Sequence, residues 1–309
     1  MSSVVVAVVA ATVGYQFGRQ QALPPVDRLM QAVAEPAVRR DSPRLDLPAQ
    51  CHQTAKLWQS RLDENCRAVV KPPFVLAGNL SSAELTQLYD QTISPAANAL
   101  ASDYFAIPPD QPITLLCFAD AESYTHAATT LLGERNPSPY GFYRPHGRVV
   151  IANLATGTGT MIHELTHALV DFDFPKLADW FNEGLASLHE ACRYQTDASG
   201  DLHLQGLTNW RLPGLQKLIA NRTLRPTRTM IAADDFRGPL EGANYAQARY
   251  LCLYLQQQGK LAEFYRVYRS NQTDDPLGEA SLAQVLEIAD WGEFDRDFWR
   301  WVMSLNHDL

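Results

Sequence analysis

The chain reads as an α+β protein, with a small mixed sheet built in its first half and a mostly helical lobe after it. Three observations carry this expectation. Short β-type runs at residues 73–78, 113–118, 140–144 and 148–152 are separated by segments that suit helices or turns. Beyond residue 204, apolar residues recur at helical spacing in one segment after another. With 309 residues, 46% of them hydrophobic, the chain is long enough to bury a core of about two lobes.

Taken in order, residues 4–13 are strongly apolar but cover about half the length of a membrane-spanning helix. No Lys or Arg precedes them and no small-x-small cleavage site follows. Despite lacking both, residues 1–19 are read from their apolar run as a signal- or anchor-like segment, which predicts an exported or membrane-anchored protein, with a cytoplasmic one as the alternative. Residues 20–50, with Pro24, Pro25, Pro36, Pro43 and Pro48, are expected to form a linker or irregular stalk. A first lobe should then run over residues 51–192. Its helices are expected at 81–101, with Ser81 or Ser82 as cap and Glu84 near the capping-box position, and at 119–132. Residues 140–144 and 148–152 should pair as a hairpin turning at Pro145-His146-Gly147.

The hairpin leads into His163-Glu164-Leu165-Thr166-His167. In a helix, positions four apart lie one turn up the same face, so both imidazoles can reach one metal ion. Glu164, beside that face, is placed to take a proton from a metal-bound water and pass it to a leaving amine. Met161, Ile162, Leu165, Ala168, Leu169 and Val170 around the pair indicate a buried helix, and Thr156, Thr158 and Thr160 are N-cap candidates. Two core histidines satisfied by hydrogen bonds are the alternative.

A catalytic zinc needs a third protein ligand and an open position. Asp179-Trp180-Phe181-Asn182-Glu183-Gly184-Leu185-Ala186-Ser187-Leu188 reads as a second amphipathic helix, and Glu183 follows His167 by 16 positions, a gap that fits helix, turn, helix. The small Gly184 and Ala186 would allow close packing. Glu190 is the next candidate, and His189, Asp171, Asp173 and Asp179 are further side chains of ligand type nearby.

H-E-L-T-H followed by W-F-N-E-G-L-A resembles the gluzincin metallopeptidases, especially peptidase MA-like proteins with H-E-x-x-H and W-x-x-E-G-x-A. The resemblance extends over residues 73–270, more weakly away from the two motifs. It implies a zincin-like fold over residues 51–192, one Zn2+ per chain held by His163, His167 and Glu183, and Glu164 as general base. It also implies that an extended peptide or protein substrate pairs with the strand at 140–144, with an ordinary hairpin that binds no ligand as the alternative. Thermolysin-like members carry an Asp one turn after the glutamate ligand that steadies a zinc histidine; this chain has Ser187 there.

Residues 193–309 are expected to form the helical lobe, after a hairpin turning at Asp197-Ala198-Ser199-Gly200-Asp201. Within Asn244-Tyr245-Ala246-Gln247-Ala248-Arg249-Tyr250-Leu251, which resembles a stretch of some peptidase MA-like proteins, Tyr245 is the chosen oxyanion stabiliser and His203 its rival. The aromatic stripe Tyr250, Tyr254, Phe264, Tyr265 and Tyr268 is expected to pack in the core. A net charge of -8 argues against a nucleic-acid footprint, which needs a basic stripe. Of the five cysteines, only Cys51 and Cys66 look like disulfide partners, and the absence of C-x-x-C argues against a cysteine zinc site. The expected activity is peptide-bond hydrolysis; a non-catalytic surface binding protein and a zinc amidase acting on a non-peptide amide are the alternatives.

Overall fold

The computed structural model describes residues 46–306. The apolar segment at 1–19 and nearly all of the linker expected at 20–50 lie outside the described residues. No described helix is long and apolar enough to cross a membrane.

The described chain divides into two compact units. One comprises the chain through Asn98 together with Ile107–Asp173. It opens with helix α1 (Leu47–Gln59), which begins inside the stretch expected to be linker. Pro48 suggested irregular chain, but it occupies the first helical turn, where a missing N–H costs nothing, and Asp46 caps the helix by accepting from the Ala49 N–H at 2.9 Å.

A five-stranded mixed sheet follows: β1 (Arg67–Lys71), β2 (Phe74–Gly78), β3 (Ile113–Phe118), β4 (Gly141–Arg144) and β5 (Val149–Asn153). Its order is β1-β2-β3-β5-β4, with β2, β3 and β5 parallel and the outer pairs antiparallel. The three central strands are buried along their whole length, which explains their near-continuous apolar runs. The edge strand β1 carries charges at both ends and is only partly buried, so it leaves a weaker sequence signal.

Between β2 and β3 the chain forms α2 (Ser82–Leu88), a π turn (Tyr89–Ile93) and α3 (Ser94–Asp103). Ser81 and Glu84 make the expected capping box. The single helix expected here is interrupted because Pro95 has no N–H for the carbonyl four residues back, and a wider turn absorbs the missing bond. Helix α4 (Ala121–Leu132), capped by Asp120, joins Trp58, Leu116, Phe118, Tyr124, Val149 and Ile151 in one apolar cluster. Trp58, fully buried, donates to the Thr114 hydroxyl at 3.0 Å. Cys51 and Cys66 are free thiols, and Cys51 donates to the Pro73 carbonyl.

Helix α5 (Thr158–Asp173) closes this unit and packs along β4 and β5. The chain enters it through a 3-10 turn at Leu154–Thr156 and Gly157, whose φ of 97° suits a residue without Cβ. No side-chain cap comes from the threonines, so that expectation gives way to the turn.

The other unit comprises Ala99–Ala106 and the chain from Phe174 on. It contains α6 (Asp179–Glu190), the hairpin β6 (Cys192–Thr196) and β7 (Leu202–Gly206), then α7 (Leu212–Ala220), α8 (Thr227–Ile231), α9 (Glu241–Gln257), α10 (Leu261–Asn271), α11 (Glu279–Val285) and α12 (Trp291–Ser304). The α+β class expected from the sequence is thus present.

The packing of α6 on α9 organises this unit. A Cβ on Gly184 would sit 2.9 Å from the Ala248 carbonyl oxygen and 2.9 Å from Cys252 Sγ, so the helices approach at the distance glycine permits. Gly184→Val should therefore destabilise the fold by about 1–3 kcal/mol or more. A melting temperature equal to that of the wild type would refute this close packing. Phe174, Trp180, Phe181, Phe264, Tyr265 and Tyr268 stack and cross around the same helix. Of the aromatic stripe, Tyr250, Phe264, Tyr265 and Tyr268 are fully buried, as expected, and Tyr254 packs on Phe294, Phe298 and Trp301.

Candidate metal centre

His163 and His167 stand one turn apart on α5, a helix whose remaining faces are filled by Met161, Ile162, Leu165, Ala168, Leu169 and Val170. Both rings stay partly exposed and meet nearly at right angles, with centroids 4.9 Å apart. Their Nε2 atoms converge to 3.2 Å. Two nitrogens bound tetrahedrally to one zinc at 2.0–2.1 Å would lie roughly 3.3 Å apart, so the spacing suits a shared metal as well as a hydrogen bond between rings. Glu164, next to His163, is 8% exposed.

Glu183 projects from α6 and is 3% exposed. One ligand-type atom each of His163, His167 and Glu183 lies within 4.8 Å of the other two, and the three could hold a metal ion. Two neutral imidazoles and one carboxylate are a donor set of borderline softness, suited to a divalent transition metal and able to leave a position open.

The other ligand-type residues near the motifs are engaged elsewhere. Glu190 accepts two hydrogen bonds from Arg211, at 2.8 and 3.0 Å. Asp171 accepts from Tyr143, and Asp173 from the Ile107 N–H. His189 is fully buried against Tyr104. Asp179, exposed at the start of α6, acts on Arg237 instead. Ser187 is fully buried, and its hydroxyl makes no hydrogen bond among the described residues, so it does not replace the second carboxylate of the thermolysin-like pattern.

Tyr245, on the first half of α9, hydrogen-bonds to Glu183, and burial and then that carboxylate raise its pKa well above the ordinary phenol value. Arg249, the other polar residue of that stretch able to serve a site, is instead fully buried and donates to the carbonyls of Ser187 and Leu207.

Arg237, which sequence reasoning missed, donates through Nη2 to Glu183 Oε1 at 2.5 Å and through Nη1 to the Tyr245 hydroxyl at 3.2 Å. Burial lowers its pKa, but Glu183, Tyr245 and Asp179 outweigh this and raise it above the ordinary arginine value. It sits in an irregular segment between α8 and α9, where no periodicity could have flagged it.

His203 is no rival for Tyr245. Its Nδ1 meets Asp103 at 2.5 Å and its Nε2 meets Asp197 at 3.3 Å, tying the hairpin to the end of α3. Hydrogen bonds from Asp103 first, then Asp197, raise its pKa. Because the folded value is raised, the stabilisation is fully present below the unfolded value of about 6.5 and is lost as pH rises through the folded value. The melting-temperature gap between wild type and His203→Gln should therefore narrow toward alkaline pH; a gap that does not change with pH would refute the clasp.

The thiols take no part in the centre. Burial pushes Cys51 and Cys192 up to about 11 and Cys117 up to about 12, so they keep their protons at neutral pH.

No family model matches the chain, and no curated protein matches it. The His163, His167 and Glu183 group therefore stands on its own geometry.

Proposed function

We propose that the chain is a zinc-dependent peptidase of the gluzincin kind, on a zincin-like fold, hydrolysing peptide bonds. One observation supports this above others: the two histidines of H-E-L-T-H and the glutamate of W-F-N-E-G-L-A, separate motifs in the chain, contribute to one metal-sized group. When bound, zinc would supply Lewis acidity, polarising the scissile carbonyl and making an attacking water more acidic.

The chain's own residues supply the rest. His163 and His167 present Nε2 from one helix face, and Glu183 adds the carboxylate that lowers the net charge of the site. Glu164 takes the proton of the attacking water as the water oxygen bonds the carbonyl carbon, and returns it to the departing amine, so that C–O and N–H bonds form as O–H and C–N bonds break. Tyr245, whose O–H is donated to Glu183 here, would turn to the developing oxyanion once a metal takes that carboxylate. Strand β4 ends the sheet and pairs with β5 on one side, while it packs on the helix that carries both histidines. Its other edge, unpaired among the described residues, is the proposed seat of an extended substrate.

The test is incubation of the zinc-loaded chain with a diverse peptide library, with cleavage read by mass spectrometry. Cleavage that a chelator abolishes and zinc restores is the expected result. An inactive zinc-loaded chain would sink the proposal.

A further inference from the structure

We propose that Arg237 is a built-in counter-ion for Glu183: it holds the buried carboxylate in place without a metal and competes for its charge once a metal binds. The inference rests on the metal reading above. Glu183 is 3% exposed, and a carboxylate so buried needs a positive partner. Arg237 provides one through the Nη2 contact, and its guanidinium cannot lose its proton, so the charge is permanent.

The fold fixes this arginine from behind. The preceding residue, Phe236, offers its carbonyl to the buried Asn244 amide at 2.8 Å and packs its ring against that of Tyr245, tilted, with centroids 5.4 Å apart. The following residue, Gly238, donates its N–H to the Asp235 carbonyl at 2.7 Å. The guanidinium is therefore delivered to Glu183 by an anchored turn, and Tyr245 accepts from its other arm.

Two opposed consequences follow for an arginine in this position. Without a metal, removing it strips the buried carboxylate of its permanent positive neighbour, and the fold weakens. With a metal, a positive charge on the same carboxylate repels the incoming cation, so removing it tightens binding. An arginine that only oriented Glu183 would do the reverse to metal affinity, and one that only packed would leave it unchanged.

The experiment compares wild type, R237M, R237K, E183Q and the double variant E183Q/R237M. Melting temperatures are taken in chelator, and zinc affinities by competition with a chromophoric chelator. R237M should melt below wild type, with a smaller loss in the E183Q background, and should bind zinc about tenfold or more tightly. R237K keeps the charge and should resemble wild type in both. Should R237M fail to fold, R237Q takes its place. Zinc binding by the arginine-free variant that is equal to or weaker than wild type overturns the proposal, as does an equal melting loss in the E183Q background. If the wild type binds no zinc, the metal reading and the competition both fall, and the melting cycle alone decides whether Arg237 is the counter-ion.

Discussion

Replacing Glu164 by Gln should lower peptide hydrolysis by about 10²–10⁴-fold while the protein keeps its metal. The substitution conserves volume in a side chain that is 8% exposed, so the helix that carries both histidines stays packed. What it removes is the basic oxygen that, in the proposed mechanism, accepts the proton of the attacking water. Zinc content and turnover must be measured on the same preparation, because only their separation identifies a general base. Equal turnover in wild type and E164Q would remove Glu164 from the mechanism. Loss of metal together with activity would mean that it supports the ligands instead.

Replacing Glu183 by Ala should reduce bound zinc from about one ion per chain to a small fraction, whereas Glu190→Ala should retain it. Two ligands on one helix turn cannot close a tetrahedral site by themselves, and the third of the group is Glu183. Glu190, although only seven residues further on, is clasped by Arg211 through both oxygens. Glu183→Ala also frees Arg237 from its carboxylate, so E183Q, which keeps the side-chain shape, serves as its companion. Retained zinc in both Glu183 variants would show that the third ligand lies elsewhere.

What could be read in advance was local. The helical period places His163 and His167 on one face whatever surrounds them, and the Ser81–Glu84 capping box needs only three residues of spacing. The apolar runs of β2, β3 and β5 announce themselves because both faces of those strands are buried. Pro48 misled because the same residue that breaks a helix interior is welcome in its first turn. The π turn before Pro95 was missed because helical periodicity does not register one wider turn.

By itself the sequence determined the α+β class, the histidine pair and the candidacy of Glu183, since backbone period and residue chemistry act over a few positions. Only the tertiary structure decided that Glu183 joins the histidines while Glu190 is held by Arg211. It also placed His203 in a carboxylate clasp and Arg237 on Glu183. Apart from the short reach from His203 to Asp197, those outcomes depend on partners 16 to 100 residues apart in the chain. Such contacts are set by how helices and loops pack, and no local periodicity encodes them.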